Sequence, residues 1–158
     1  MRPAFTKILV FAAAGTIAIA AGTYPASGTT GSHAITVRLK QVNGSGQSGF
    51  ATLTPAGSGF TVLVKMKGRG IQPGEYDHIH NVSCKRYAHI APNPRKPTAQ
   101  QLNKQLATAT IWLTNLYGGR SKTSVAQPLQ SVTTGSYSIN VHTATSPYMA
   151  VACGDIPQ

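Results

Sequence analysis

Acid is what this chain has least of. Its 158 residues include three carboxylate side chains, Glu75, Asp77 and Asp155, against 14 Lys and Arg. A Ser/His/Asp relay cannot be argued from so few acids. Cysteine is as scarce: Cys84 and Cys153 are the only two, and neither has a CxxC or CxxH partner, which argues against a cysteine-based zinc motif. No long apolar run is present. The longest, residues 8–21, is too short to make a good membrane span. A phosphate-binding glycine loop is missing, because Gly44, Gly46 and Gly49 precede a strand-like segment instead of a helix. The basic residues make no run of four and are not interleaved with aromatics, so no nucleic-acid partner is expected.

The short apolar run has a use. Arg2 and Lys7 precede it and the small-residue step Ala18-Ile19-Ala20 closes it, the pattern of a secretory signal. An N-terminal membrane anchor is the competing reading. The expected organisation is a signal over residues 1–26, cut after Ala20 or Ala26, a flexible lead-in over 27–34, and one domain over 35–158. The expected location is secreted, periplasmic or in the cell envelope. Removing Arg2 and Lys7 leaves 12 basic residues against three acids, a net +9. Such a surface attracts anions: it reads either as the docking side for an anionic envelope component or as a basic soluble surface with no dedicated partner. An even count of two cysteines in an oxidising compartment suggests one disulfide. It would close a loop of about 70 residues, worth about 4 kcal/mol in the chain-entropy view. Metal ligation by cysteine is the alternative.

From residue 35 onward the chain reads as short alternating runs between Gly, Pro, Asn and Ser. Ile35, Val37 and Leu39 alternate with Thr36, Arg38 and Lys40; Asn43-Gly44-Ser45-Gly46 then signals a tight turn. Strands are expected over 50–54, 60–67, 76–80, 136–142 and 148–153, with another within 107–116 around Trp112, the only tryptophan. Residues 84–97, rich in Pro, Lys and Arg, read as a loop, and 98–106 as either a short helix or a solvated loop. The fold class is all-β, a sandwich or barrel.

Four histidines lie beyond the lead-in: His78, His80, His89 and His142. In a strand, i and i+2 share a face. His78 and His80 therefore stand side by side, with Ile79 opposed. In 136–142, Tyr137, Ile139 and Val141 make an apolar face, and Ser138, Asn140 and His142 the other. With the isoleucines and Val141 turned to the core, His78, His80 and His142 all face outward. If the two strands are neighbours, three imidazoles converge outside the barrel wall, a donor set suited to copper, zinc, iron or nickel. Asp77 reads as a strand-edge carboxylate and Asp155 as a local cap. Asn43-Gly44-Ser45 and Asn81-Val82-Ser83 match glycan acceptor sites.

At both ends these residues resemble the copper/zinc superoxide dismutases. Residues 35–84 carry the opening strand, the Asn43 turn, a hairpin and His78-Ile79-His80; residues 135–156 carry Gly135-Ser136-Tyr137-Ser138-Ile139-Asn140-Val141-His142 and the Ala152-Cys153-Gly154 tail. The resemblance implies an eight-stranded antiparallel Greek-key barrel. It also implies copper on His78, His80 and His142, a Cys84–Cys153 disulfide and superoxide as substrate. Residues between these ends depart from the family. The bridging histidine expected after the first cysteine has His89 as its only counterpart. The other zinc ligands have none, since residues 90–141 hold no His, Asp or Glu. Zinc is therefore not expected. Where the family places a guiding arginine, three residues before the last cysteine, this chain has Ala150. Two functions follow as expectations: copper binding with superoxide dismutation, or a non-enzymatic envelope module on the same barrel.

Overall fold

The computed structural model describes residues 33–90 and 96–158. The signal and most of the lead-in expected over 1–34 lie outside the described residues. Eight strands form: β1 (Ile35–Gln41), β2 (Gln47–Ala56), β3 (Gly59–Gly68), β4 (Tyr76–His80), β5 (Ala109–Trp112), β6 (Arg120–Val125), β7 (Ser138–Thr143) and β8 (Ser146–Asp155). They make one sheet in the order β5-β4-β7-β8-β1-β2-β3-β6, antiparallel at every pairing. The sheet curls into a half-barrel around Leu39, Leu53, Phe60, Val62, Ile79 and Ile139, each no more than 1 % exposed.

The alternation that forecast the strands also sets what faces the core. In β3, Phe60, Val62, Val64 and Met66 point inward while the residues between them point out. The β1–β2 turn needs left-handed backbone at Asn43 (φ 56°) and Gly44 (φ 66°), residue types that tolerate it. The edge strands β5 and β6 do not pair with each other. Thr114 N–H donates to Thr123 Oγ1 (2.7 Å) and Ser121 Oγ to Asp77 Oδ2 (2.7 Å), so side chains stitch that seam. Asp77 is thus no strand-edge carboxylate. It is 1 % exposed on the core face of β4, where burial, partly offset by the Ser121 hydrogen bond, raises its pKa to about 7.

Two helices lie between β4 and β5. The second, α2 (Ala99–Thr108), takes the helical of its two readings: Thr98 caps Gln101 N–H, and the Gln101 side chain returns to Thr98 N–H. The first, α1 (Cys84–Ile90), replaces the expected loop over its own length. Pro92, Pro94 and Pro97 all lie beyond its end, so none interrupts it. Ser83 caps it by accepting from Arg86 N–H (3.2 Å). Asp155, instead of capping locally, accepts from Cys84 N–H at 2.6 Å across 71 residues of sequence. A short 3-10 turn (Leu129–Val132) and β6 also went unanticipated. None of the described helices is long and apolar enough to cross a membrane.

Candidate metal centre

β4 and β7 are neighbours, with His78 opposite Asn140 and His80 opposite Ser138. The face shared by His78 and His80 on β4 is therefore continuous with that of Ser138, Asn140 and His142 on β7. Each strand also carries an irregularity at its histidine. The β4–β5 register shifts between Ile79 and His80, and the β7–β8 register shifts on both sides of His142. Bulges of this kind re-aim side chains. Ring centroids lie 5.0 Å apart for His78 and His142, 5.7 Å for His78 and His80, and 6.0 Å for His80 and His142. One nitrogen from each of the three lies within 4.8 Å of the others. A metal at about 2 Å from each would draw them to about 4 Å or less, a small contraction.

These histidines face away from the core, as expected, but they are not on the surface. His78, His80 and His142 are 2 %, 1 % and 0 % exposed. The cover comes from aromatic residues that the sequence did not connect to the histidines. Tyr87 of α1 stacks edge-on over His80 (4.8 Å) and lies 6.0 Å from His142, and its hydroxyl donates to Tyr148 O (3.4 Å). Trp112 of β5 packs edge-on against His78 at 3.8 Å. The hollow bounded by His78, His80, Tyr87, Gln105 and Tyr148 has no room for a water molecule. Tyr87 had a signal in its spacing: it falls three residues after Cys84, one helical turn from the disulfide.

His89 does not join the set. It is exposed on α1, outside the cluster formed by the other three. Cys84 and Cys153 are bonded to each other, with Cα atoms 5.9 Å apart. The bridge fastens the start of α1 to β8 at the residue opposite Asn140. Of the two glycan acceptors, Asn43 uses its amide to donate to Ala150 O (2.9 Å), whereas Asn81 is exposed.

The electrostatics suit a cation. Burial lowers the pKa of His78 to about 4; burial, with help from His78, lowers that of His80 to about 3. Burial, then the neighbouring His78 and His80, holds His142 well below the usual histidine range. All three are neutral at pH 7, with lone pairs free. Thr108 selects one tautomer. Its hydroxyl donates to Gln105 O (2.8 Å), so at 3.0 Å from His80 Nδ1 it accepts, and the imidazole proton sits on Nδ1. His80 Nε2 then presents a lone pair with no partner among the described residues. Among the described residues His78 Nε2 is likewise buried without a partner, as are Ser138 Oγ and both amide atoms of Asn140, and His142 makes no hydrogen bond of good geometry, its one polar neighbour being the Tyr148 backbone. So many buried donors and acceptors without a partner among the described residues are costly unless something binds there. A metal ion fits this donor set.

The chain matches no protein-family model, and no curated protein matches it significantly.

Proposed function

We propose that this chain is an exported copper-holding protein whose barrel is related to that of the copper/zinc superoxide dismutases. The observation that carries the reading is the trio of buried, neutral imidazoles, each with a nitrogen within 4.8 Å of the others. Nitrogen donors bind copper more tightly than the other divalent first-row metals. Three features support kinship to the dismutases: the closely placed His78-Ile79-His80 and His142, the Cys84–Cys153 bridge beside them, and the strand order. In that order β4 and β5 lie across the sheet from β3 and β6, a crossing consistent with Greek-key winding. The disulfide agrees with an oxidising compartment.

Holding is favoured over turnover. Ala150, not a cation, stands opposite His142 and is itself buried. Tyr87 and Tyr148 line the hollow over His78 and His80, which has no room for water. The residues nearest the site thus exclude solvent and fix ring orientation. Among the described residues that line the hollow over His78 and His80, none carries a charge that could bind superoxide. When bound, copper would supply one-electron redox capacity; the protein's part is to set tautomer, protonation and access.

Paramagnetic resonance of the Cu(II)-loaded protein tests this, beside His78→Ala and His142→Ala, with superoxide consumption measured on the same samples. We expect coupling to several nitrogens, lost in both variants, with little or no turnover. Turnover lost in the same variants would make the chain a zinc-free dismutase. Absence of a specific signal would leave the barrel as a binding module without metal.

A further inference from the structure

The basic residues are scattered along the sequence, but strand pairing collects them. Arg38 on β1 stands opposite Phe50 on β2, Phe50 opposite Lys65 on β3, and Lys65 opposite Arg120 on β6. Directly opposed residues of antiparallel strands point to the same side. These four therefore form one row on the outer face, and all four are exposed. Tyr117 pairs with Arg120 across the Gly118-Gly119 turn and continues the row, 66 % exposed. On one side of it stand Lys40 and Lys67, which with Arg38, Gln41, Ser48 and Phe50 line a groove of about 420 Å³. On the other side Lys122 stands opposite Leu63. Six cations thus surround a phenylalanine that is 48 % exposed.

Of the three acids, only Asp155 comes near this face. Glu75 and Asp77 are buried, and Glu75 accepts from Gln47 Nε2 and Gln72 N–H. Asp155 borders the face on the β8 side, in a groove with Arg38 and Lys40, and accepts from Cys84 N–H, so six cations stand against one bordering carboxylate. The metal centre lies on β4 and β7, on strands other than these four.

We propose that the outer face of β1, β2, β3 and β6 docks on an anionic phospholipid surface, with Phe50 and Tyr117 entering the interface. The cations are spread in two dimensions over four strands, about 14 Å across, which matches a plane of phosphates. Phe50 and Tyr117 sit at separate points of the row with Lys65 and Arg120 between them. Bases stacked on a single-stranded nucleic acid would call for closely spaced rings. An aromatic among lysines and arginines is the composition of an interfacial membrane contact.

The test is co-sedimentation of the full chain with vesicles of phosphatidylglycerol and phosphatidylcholine, against vesicles of phosphatidylcholine alone. The apolar residues 8–21 can partition into either, so the difference between the two compositions is the reading. Each cation near such a surface contributes roughly five-fold in partitioning. Lys65→Glu with Lys122→Glu should therefore cut the anionic preference by at least about 20-fold, and Phe50→Ala by a few-fold. Raising salt to about 0.5 M should remove most of it. Copper binding by the same variants should be unchanged, showing that they fold. Equal partitioning of wild type and the double variant would overturn the proposal. So would displacement from anionic vesicles by a single-stranded oligonucleotide at equimolar phosphate, which would make a soluble polyanion the better partner.

Discussion

The tautomer of His80 hangs on one hydroxyl. Thr108 spends its proton on Gln105 O, so it can only accept from His80 Nδ1, and Nε2 is left as the buried nitrogen with no partner among the described residues. Outer partners of this kind typically alter metal affinity 10- to 100-fold when removed. Thr108→Val keeps the shape and loses the acceptor. We expect copper affinity to fall by about that factor in competition against a chelator, with the nitrogen coupling still present, and Thr108→Ser to restore most of it. Unchanged affinity in the valine variant would mean the tautomer is set elsewhere. None of this could be read from the sequence. His78, His80 and His142 share a face by simple alternation, and that was legible. Thr108 comes from the end of a helix, and no periodicity connects it to β4.

The strands were legible because Phe60, Val62 and Val64 or Ile139 and Val141 bury every second residue, a signal that is local to the chain. Helix α1 was not, because the prolines and basic residues after it dominate the composition of its segment. Its order comes from contacts distant in sequence: the bridge to Cys153 and the cap from Asp155. The burial of the histidines was hidden for the same reason. An outward-facing strand residue looks exposed until a helix is laid on it, and α1 lays Tyr87 there. Seven residues make a marginal helix alone, so the disulfide should act as the latch of this cover. Cys84→Ser with Cys153→Ser is expected to cost about 4 kcal/mol of stability and to speed copper loss to a chelator by more than ten-fold. The rate should be followed well below the denaturation midpoint. A destabilised double variant that releases copper at the wild-type rate would show that α1 stays closed without its bridge.

Across the whole molecule the few acids and the buried histidines make folding depend on pH in two opposed ways. In the metal-free protein, His78 and His80 have folded pKa values of about 4 and 3 against 6.5 for a free imidazole, and that of His142 is also depressed. Between these limits the unfolded chain binds more protons than the folded one, so the histidines withdraw stability as pH falls from about 6.5 towards 4. Asp77 acts with the other sign. Its folded pKa of about 7 lies above the ordinary 3.8, so the folded state holds the extra proton, and this residue withdraws stability as pH rises from about 4 to 7. Each group contributes at most about 1.4 kcal/mol per pH unit. Three histidines oppose one aspartate, so the histidines win in the shared window. The urea midpoint of the metal-free protein should fall steeply between pH 6.5 and 4.5, and more steeply still in Asp77→Asn, which keeps an acceptor for Ser121 but removes the opposing titration. Copper should hold the midpoint up, because a metal-bound imidazole cannot take a proton until the ion leaves. A midpoint that stays level over this range without metal would mean the three rings are hydrated in solution, and the dry donor set on which the copper reading rests would go with it.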